Sequence, residues 1–414
     1  MKRKILFTAF VLSFLLSCKN QENGNMFSDV IDIEHSLNNL TTLKTSDFGK
    51  TIRFIPLETT DDGLVGNDPI IKVLKDYIVI EAQGTCLLFD KKDGRFVTKI
   101  GRIGQGPEEY TGIFSWVDEK EEFLFFQRGE NQLVKYDMQG KYGGNVDFHY
   151  PQTIASWYLL SDSEIIGYFG GTNHQMQFSI GFFDKEGVLV DSVPRLIQKI
   201  NEQFVPDEIL NITVLRGNNP FGNSARTGTI VITYKNDTKQ FFIPYAPRVW
   251  RHNENVRYKE EFVDTVYTLS NRKLVPTITF NTGKYRWTYE ESRSGVNTNE
   301  RIYIADVSEN DNLFFFQCVK GMYADEPILY NGLHNKKTGA TKIGQNSVTI
   351  EDDLAHFMPF TPLGMSTAGE FVSYVDAYKI MEWLETHPET KDNDKLGFLK
   401  ELDEEMNPVI ILIE

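Results

Sequence analysis

Three glycines, Gly101, Gly104 and Gly106 in the run GRIGQGPEEY, are spaced as in a loop that could cradle a phosphate. Such a loop works by aiming backbone N–H groups at the anion from the start of a helix, and a Gly-Lys-Ser or Gly-Lys-Thr completes it. Neither follows here, so the glycines read as licensing tight turns in a connection between strands. The side chains on that connection, Arg102, Gln105, Glu108, Glu109 and Tyr110, are the candidate ligand-binding set. A purely structural loop is the competing reading.

Other chemistry finds less support. The seven histidines, His35, His149, His174, His252, His334, His356 and His387, form no HxH or HExxH pair. The three cysteines form no CxxC. No metal site and no cofactor are therefore expected. Cys86 and Cys318 lie in the apolar runs GTCLLFD and FFFQCVK, as separately buried thiols would; whether they pair stays open. Glycoside cleavage needs two carboxylates at a set separation, and 58 acidic residues do not single out a pair. Trp116, Trp157, Tyr158, Trp250 and Trp287 are the aromatic residues that would stack on sugar rings if exposed.

The elements that must position these residues are strands. KVLKDYIVIEA, FLFFQ, QLVKYD, FSIGFFD, TIVITY, RIYIADV and LFFFQC are short runs of Val, Ile, Phe and Tyr bounded by Asp, Asn, Gly and Lys. Helical spacing shows only near the C-terminus, where Tyr378, Met381 and Leu384 in AYKIMEWLETH fall on one side, followed by KLGFLKELDEEM.

A repeat organises the strands. FDKKDGRFVTKI, YDMQGKYGGNV and FDKEGVLVDSV share an aromatic-Asp pair, a polar turn with Gly and a further strand, and their aspartates, Asp90, Asp137 and Asp184, stand 47 residues apart both times. The turn recurs more loosely near Asn271 and Asn335, and with a closing unit six modules result. A period near that length made of antiparallel strands predicts an all-β fold, a six-bladed β-propeller of four-stranded antiparallel blades. One blade cannot cover both of its faces, so blades must pack on one another around an axis. The ring spans 46–414 as a single domain, with a helical excursion over 374–406 and a closing strand over 408–414. TIRFIPLE from Thr51 and PVIILIE from Pro408 are expected in one blade, holding the ring shut.

The N-terminus adds an address. Lys2, Arg3 and Lys4 precede the apolar stretch ILFTAFVLSFLL, too short to span a bilayer, so residues 1–17 read as a signal peptide. Leu15-Leu16-Ser17-Cys18 resembles the lipobox of bacterial lipoproteins, which implies cleavage before Cys18 and its acylation. Residues 18–45 then read as a polar tether. Without the two lysines and one arginine of the signal, the 43 basic residues fall to 40 against 58 acidic ones, a net charge of about −18. That balance argues against nucleic acid as a partner and leaves the membrane to be reached through the lipid.

KIGRIGQGPEEY, EFVDTVYTLSN with the following PTITF, and the ending DEEMNPVIILIE together resemble the six-bladed β-propeller lipoproteins of Bacteroides and relatives, distantly similar to NHL-repeat propellers. The resemblance implies a cell-envelope protein of the outer membrane, with its face open. The expected function is a non-enzymatic module binding a small molecule, glycan or protein, with glycan or nutrient handling as its expected setting. The alternative is a propeller enzyme, a glycoside hydrolase or an NHL-type lyase.

Overall fold

The computed structural model describes residues 29–149, 155, 157–169, 178–197, 208–215, 229–242, 249–293, 297–345 and 350–414. The signal peptide, Cys18, the first part of the expected tether and His174 lie outside the described residues.

Among the described residues seven sheets form, numbered in chain order. Sheet I comprises Ile70–Val73, Tyr77–Ala82, Thr85–Asp90 and Phe96–Lys99. Sheet II runs from Ser115–Val117 to Tyr142–Asp147, and sheet III from Trp157–Leu160 to Leu189–Pro194. Sheet IV has three strands, Ile209–Leu215, Thr229–Tyr234 and Lys239–Phe242. Sheet V runs from Val249–His252 to Lys273–Asn281, and sheet VI from Ile302–Glu309 to Thr341–Gln345. Sheet VII combines Gly364–Met365, Phe371–Val375 and Val409–Ile413 with Ile52–Pro56 from the other end of the chain.

This is a β-propeller, and its sequence shows why. Tyr77–Ala82 is apolar almost throughout because both faces are covered: Ile78 and Ile80 pack on sheet VII, Val79 on sheet II. Apolar clusters join the sheets pairwise: VII to I, I to II, II to III, III to V, V to VI and VI to VII. Each fully buried large side chain contributes about 1.5–3 kcal/mol, so every such joint is a substantial part of the core. Sheet IV is bypassed: Ile166, Ile180 and Phe182 of sheet III meet Val249 and Tyr258 of sheet V directly.

The two chain ends pair as the closing strands were expected to, with Ile52 opposite Ile413 and Pro56 opposite Val409, antiparallel. Two other expectations need correction. Residues 29–45 are part of the fold rather than tether. Asp29–Asp32 adds to sheet V in parallel with Lys273–Asn281, and Ile31 and Ile33 are fully buried between sheets V and VI. The helical excursion begins after Val375, not at Tyr374, which lies in a strand. In the helix Ala377–Thr386 the buried side chains are Ala377, Ile380 and Leu384, while Tyr378 is exposed. The following stretch, Asp394–Lys400, is 3-10 helix with a break at Leu396.

Candidate functional site

The first strands of sheets I, II, III and VII converge on one small recess, so first strands are innermost and fourth strands outermost. After Lys99 the chain must return from an outermost strand to the innermost strand of sheet II, and GRIGQGPEEY makes that crossing. Gly101 adopts φ 53°, where a Cβ would also strike the Tyr136 ring. The loop folds on itself: Gly104 N–H donates to Tyr110 O at 3.0 Å, and Tyr110 N–H to Arg102 O at 3.1 Å. Glu109 accepts from Gly106 N–H at 2.7 Å and from Arg102 Nε at 2.5 Å. These two donors hold its carboxyl below the usual carboxylate range.

The expected rim set is therefore brought together only in part. Arg102, Glu108 and Glu109 surround a hollow of about 460 Å³, with Tyr136 and Tyr142 as its floor, whereas Gln105 is exposed outside that lining. Because Tyr136 and Tyr142 belong to the outer strands of sheet II, the hollow stands at the edge of the ring and not at the mouth of its axis. Tyr110 does not face a ligand: it is fully buried, stacked on Phe126 at 4.3 Å, with its hydroxyl donating to Ile100 O. An aromatic ring on an otherwise polar connection is drawn into the joint between sheets I and II.

The aromatic candidates divide similarly. Trp116, Tyr158 and Trp287 are core residues; Trp157 and Trp250 are half-buried on innermost strands. Cys86 and Cys318 are free thiols buried in different clusters. Among the described residues no group of three His, Cys, Asp or Glu could hold a metal ion.

A concavity of about 660 Å³ lies on sheet V. One wall is Phe262–Thr265, where the chain enters the third strand; the other runs from the end of the fourth strand at Thr279 along the crossing that follows it to Glu290. Phe262 sits at φ 59°, a left-handed conformation that a bulky residue keeps only when its surroundings fix it. Here the ring is held edge-on by Trp287 at 5.3 Å and Tyr289 at 5.7 Å. Asp264, two residues on, points its carboxylate at Thr282 Oγ1 (3.3 Å) and toward Arg286 Nε (3.8 Å), while its backbone carbonyl accepts from Phe280 N–H at 2.7 Å. Burial pushes the Asp264 carboxyl above its ordinary value, opposed by Lys259, Thr282 and Arg286. Arg286 and Glu290 are exposed at the lip. A half-buried carboxyl, a guanidinium and aromatic faces in one cleft suit a ligand that is polar at its edge and apolar on its face.

Sequence reasoning missed this cleft, although its residues stand in EFVDTVYTLSN and in GKYRWTYEE some twenty positions later. The available signal was the second run, dense in aromatic and charged residues just past a strand.

The family description that matches this sequence, over residues 28–414, is a domain of unknown function, DUF4934. The chain belongs to that family. Among solved structures, this DUF4934 chain is similar to an exported protein from Bacteroides fragilis, at 16% identity and a TM-score of 0.58, covering 90% of this chain and 97% of that one. A member of the DUF4221 family from Bacteroides vulgatus aligns at 10% identity and a TM-score of 0.44, covering 88% of this chain and 96% of that one. BamB from Moraxella catarrhalis aligns at 13% identity and 0.32, covering 80% and 75%. No curated protein matches the DUF4934 sequence. At such identities the likeness to the Bacteroides fragilis protein is one of fold.

Proposed function

We propose that this chain is an extracytoplasmic, lipid-anchored binding propeller of six blades, which takes a glycan unit in the cleft of sheet V. The observation that carries the ligand reading is the pairing of Tyr289 and the fixed Phe262 with Asp264, Thr282 and Arg286 around one space of about 660 Å³. A sugar ring offers an apolar face to the aromatic side and hydroxyls to the carboxylate and guanidinium. The six-blade count is supported by six pairwise joints that leave sheet IV aside as an insertion. The anchor and its export are supported by the basic-apolar leader ending at Ser17-Cys18. The resemblance to Bacteroides propeller lipoproteins favours the outer membrane.

Calorimetric titration of the full chain with a panel of neutral oligosaccharides tests the ligand reading. Tyr289→Ala and Arg286→Ala should each weaken the best binder about tenfold, the worth of one ring face or one charged hydrogen bond. A panel without a binder, or a binder indifferent to both substitutions, sinks it.

A further inference from the structure

Sheet IV stands aside from the ring, and its first strand, Ile209–Leu215, is an outer edge with no strand beyond it among the described residues. Every side chain from Ile209 to Thr213 is exposed, and three of them are large and apolar: Ile209 (52%), Leu210 (60%) and Ile212 (55%). Successive residues of a strand point to opposite faces, so this one shows apolar surface to water on both sides. An edge of that kind also offers a row of unpaired backbone N–H and C=O groups to any strand that comes beside it.

The chain protects its other outer edges. The outermost strands of sheets I, II and III carry Lys99, Asp147, and Asp191 with Pro194. In sheet V the fourth strand is covered by Asp29–Asp32, which is charged at both ends. Thr341–Gln345 of sheet VI carries Lys342 and is met by Thr41 N–H on Ile343 O at 2.9 Å. Ile52–Pro56 of sheet VII holds Arg53 and Pro56. Charge, proline and a covering segment are the usual devices against strand pairing, and Ile209–Leu215 has none of them among the described residues. Glu208, just before it, is tied back to Lys235 at 2.5 Å.

The order of residues in the strand says what fits beside it. Ile-Leu-Asn-Ile-Thr-Val-Leu has the same succession of apolar and polar residues from either end, centred on Ile212. An antiparallel neighbour is read from the opposite end. A second copy in register therefore sets Ile212 opposite Ile212, Asn211 opposite Thr213, Leu210 opposite Val214 and Ile209 opposite Leu215. A slip of one residue would set Asn211 against Ile212 and Leu210 against Thr213, polar against apolar. Two copies with a net charge of about −18 each repel, so a contact between them has to be uncharged, and this strand is.

We infer that this edge is the contact of a symmetric dimer, in which Ile209–Leu215 pairs antiparallel with the same strand of a second copy across a twofold axis at Ile212. Two three-stranded sheets become one of six. The pairing uses up the edge on both copies, so assembly closes at two and does not grow into a fibre. A contact one strand long covers less than the roughly 1,200–2,000 Å² of a tight complex, which places the dimer in the micromolar range. No residue of the sheet V cleft belongs to this strand, and the dimer stands or falls independently of the ligand reading.

The test is sedimentation velocity of the full chain in detergent, from about 1 to 100 μM, where a monomer–dimer equilibrium with a Kd on the order of 10 μM is expected. Ile212→Lys places like charges directly opposite each other at the axis and should weaken the dimer at least about tenfold. Because Ile212 is exposed, its melting transition should match the parent's. Ile212→Cys tests the register. Residues opposite each other in antiparallel strands have Cα atoms about 4.5–5.5 Å apart, within reach of a disulfide, whereas the two copies of residue 209 would stand about 20 Å apart. Mild oxidation should thus link Ile212→Cys into a covalent dimer and leave Ile209→Cys at the level of the parent. The inference is overturned by a chain that stays monomeric throughout, by a dimer indifferent to Ile212→Lys, by assemblies larger than two, or by equal cross-linking at positions 209 and 212.

Discussion

Gly94, Gly140 and Gly187 all sit at positive φ, 77°, 77° and 80°, in the turn that leads into the fourth strand of their sheets. Four or three residues before each stands the repeated aspartate. Asp90 accepts from Lys92 N–H, Asp137 from Gln139 and Lys141, and Asp184 from Glu186 and Val188, so the carboxylate folds the turn locally. The glycine does something further. A Cβ on Gly94, Gly140 or Gly187 would fall under 3 Å from the carbonyl oxygen of Pro56, Lys99 or Asp147, each the last residue of the preceding sheet's outermost strand. Gly339, at φ 71° in the equivalent turn of sheet VI, meets nothing within 4 Å. Gly187→Ala should therefore cost roughly 3 kcal/mol or more, strain plus a backbone clash, and Gly339→Ala only about 1 kcal/mol, the strain alone. Urea denaturation of the two variants side by side checks this; equal losses would mean that the close approach does not matter. The Asp-to-Gly spacing was legible in the sequence. What the glycine touches was not, because the carbonyl belongs to a strand about forty residues earlier.

Val409–Ile413 has no polar residue, and all five side chains are buried. Ile410 and Leu412 pack toward sheet I, Val409, Ile411 and Ile413 toward the C-terminal helices and sheet VI. An apolar run without alternation is how a strand covered on both faces reads, which made this element recognisable from residues alone. Ile410→Asp places a carboxylate at a fully buried position on the joint that closes the ring. It should cost more than about 4 kcal/mol and move the whole denaturation curve rather than one end of it. A variant that melts like the parent would contradict the clasp. Elements too short to show a period escaped the same reasoning. Asp29–Asp32, Ile33–Leu37 and Thr45–Phe48 hold four or five residues each, so their polar composition concealed Ile31, Ile33 and Phe48 in the core. In the helix Ala377–Thr386 the spacing was right, but Ile380 rather than Tyr378 faces inward.

For the molecule as a whole, the 47-residue interval fails after Asp184 because sheet IV intervenes before the next module begins. Its turn imitates the others, with Asn236 accepting from Thr238 N–H at 3.1 Å, so TIVITY reads in sequence like any blade strand. Packing tells it apart. Its Phe241 lies against Trp287, Tyr303 and Tyr323, on the side of sheets V and VI, while sheets III and V close on each other without it. The gap that sheet IV spans is also short: Leu196 N–H donates to Glu260 Oε2 at 2.7 Å, and Val249 is paired with Tyr258, two residues from Glu260. Replacing residues 198–248 by a short Gly/Ser linker should thus preserve the ring. Losing the cover that Phe241 gives to Trp287 and Tyr303 should lower the midpoint by the worth of about one or two buried aromatic side chains, roughly 2–5 kcal/mol. The transition should nevertheless remain single and steep, with an m-value reduced only in proportion to the chain removed. If sheet IV were instead a member of the ring, its removal would expose the apolar faces of both neighbours, and the shortened chain would unfold without cooperativity or fail to fold.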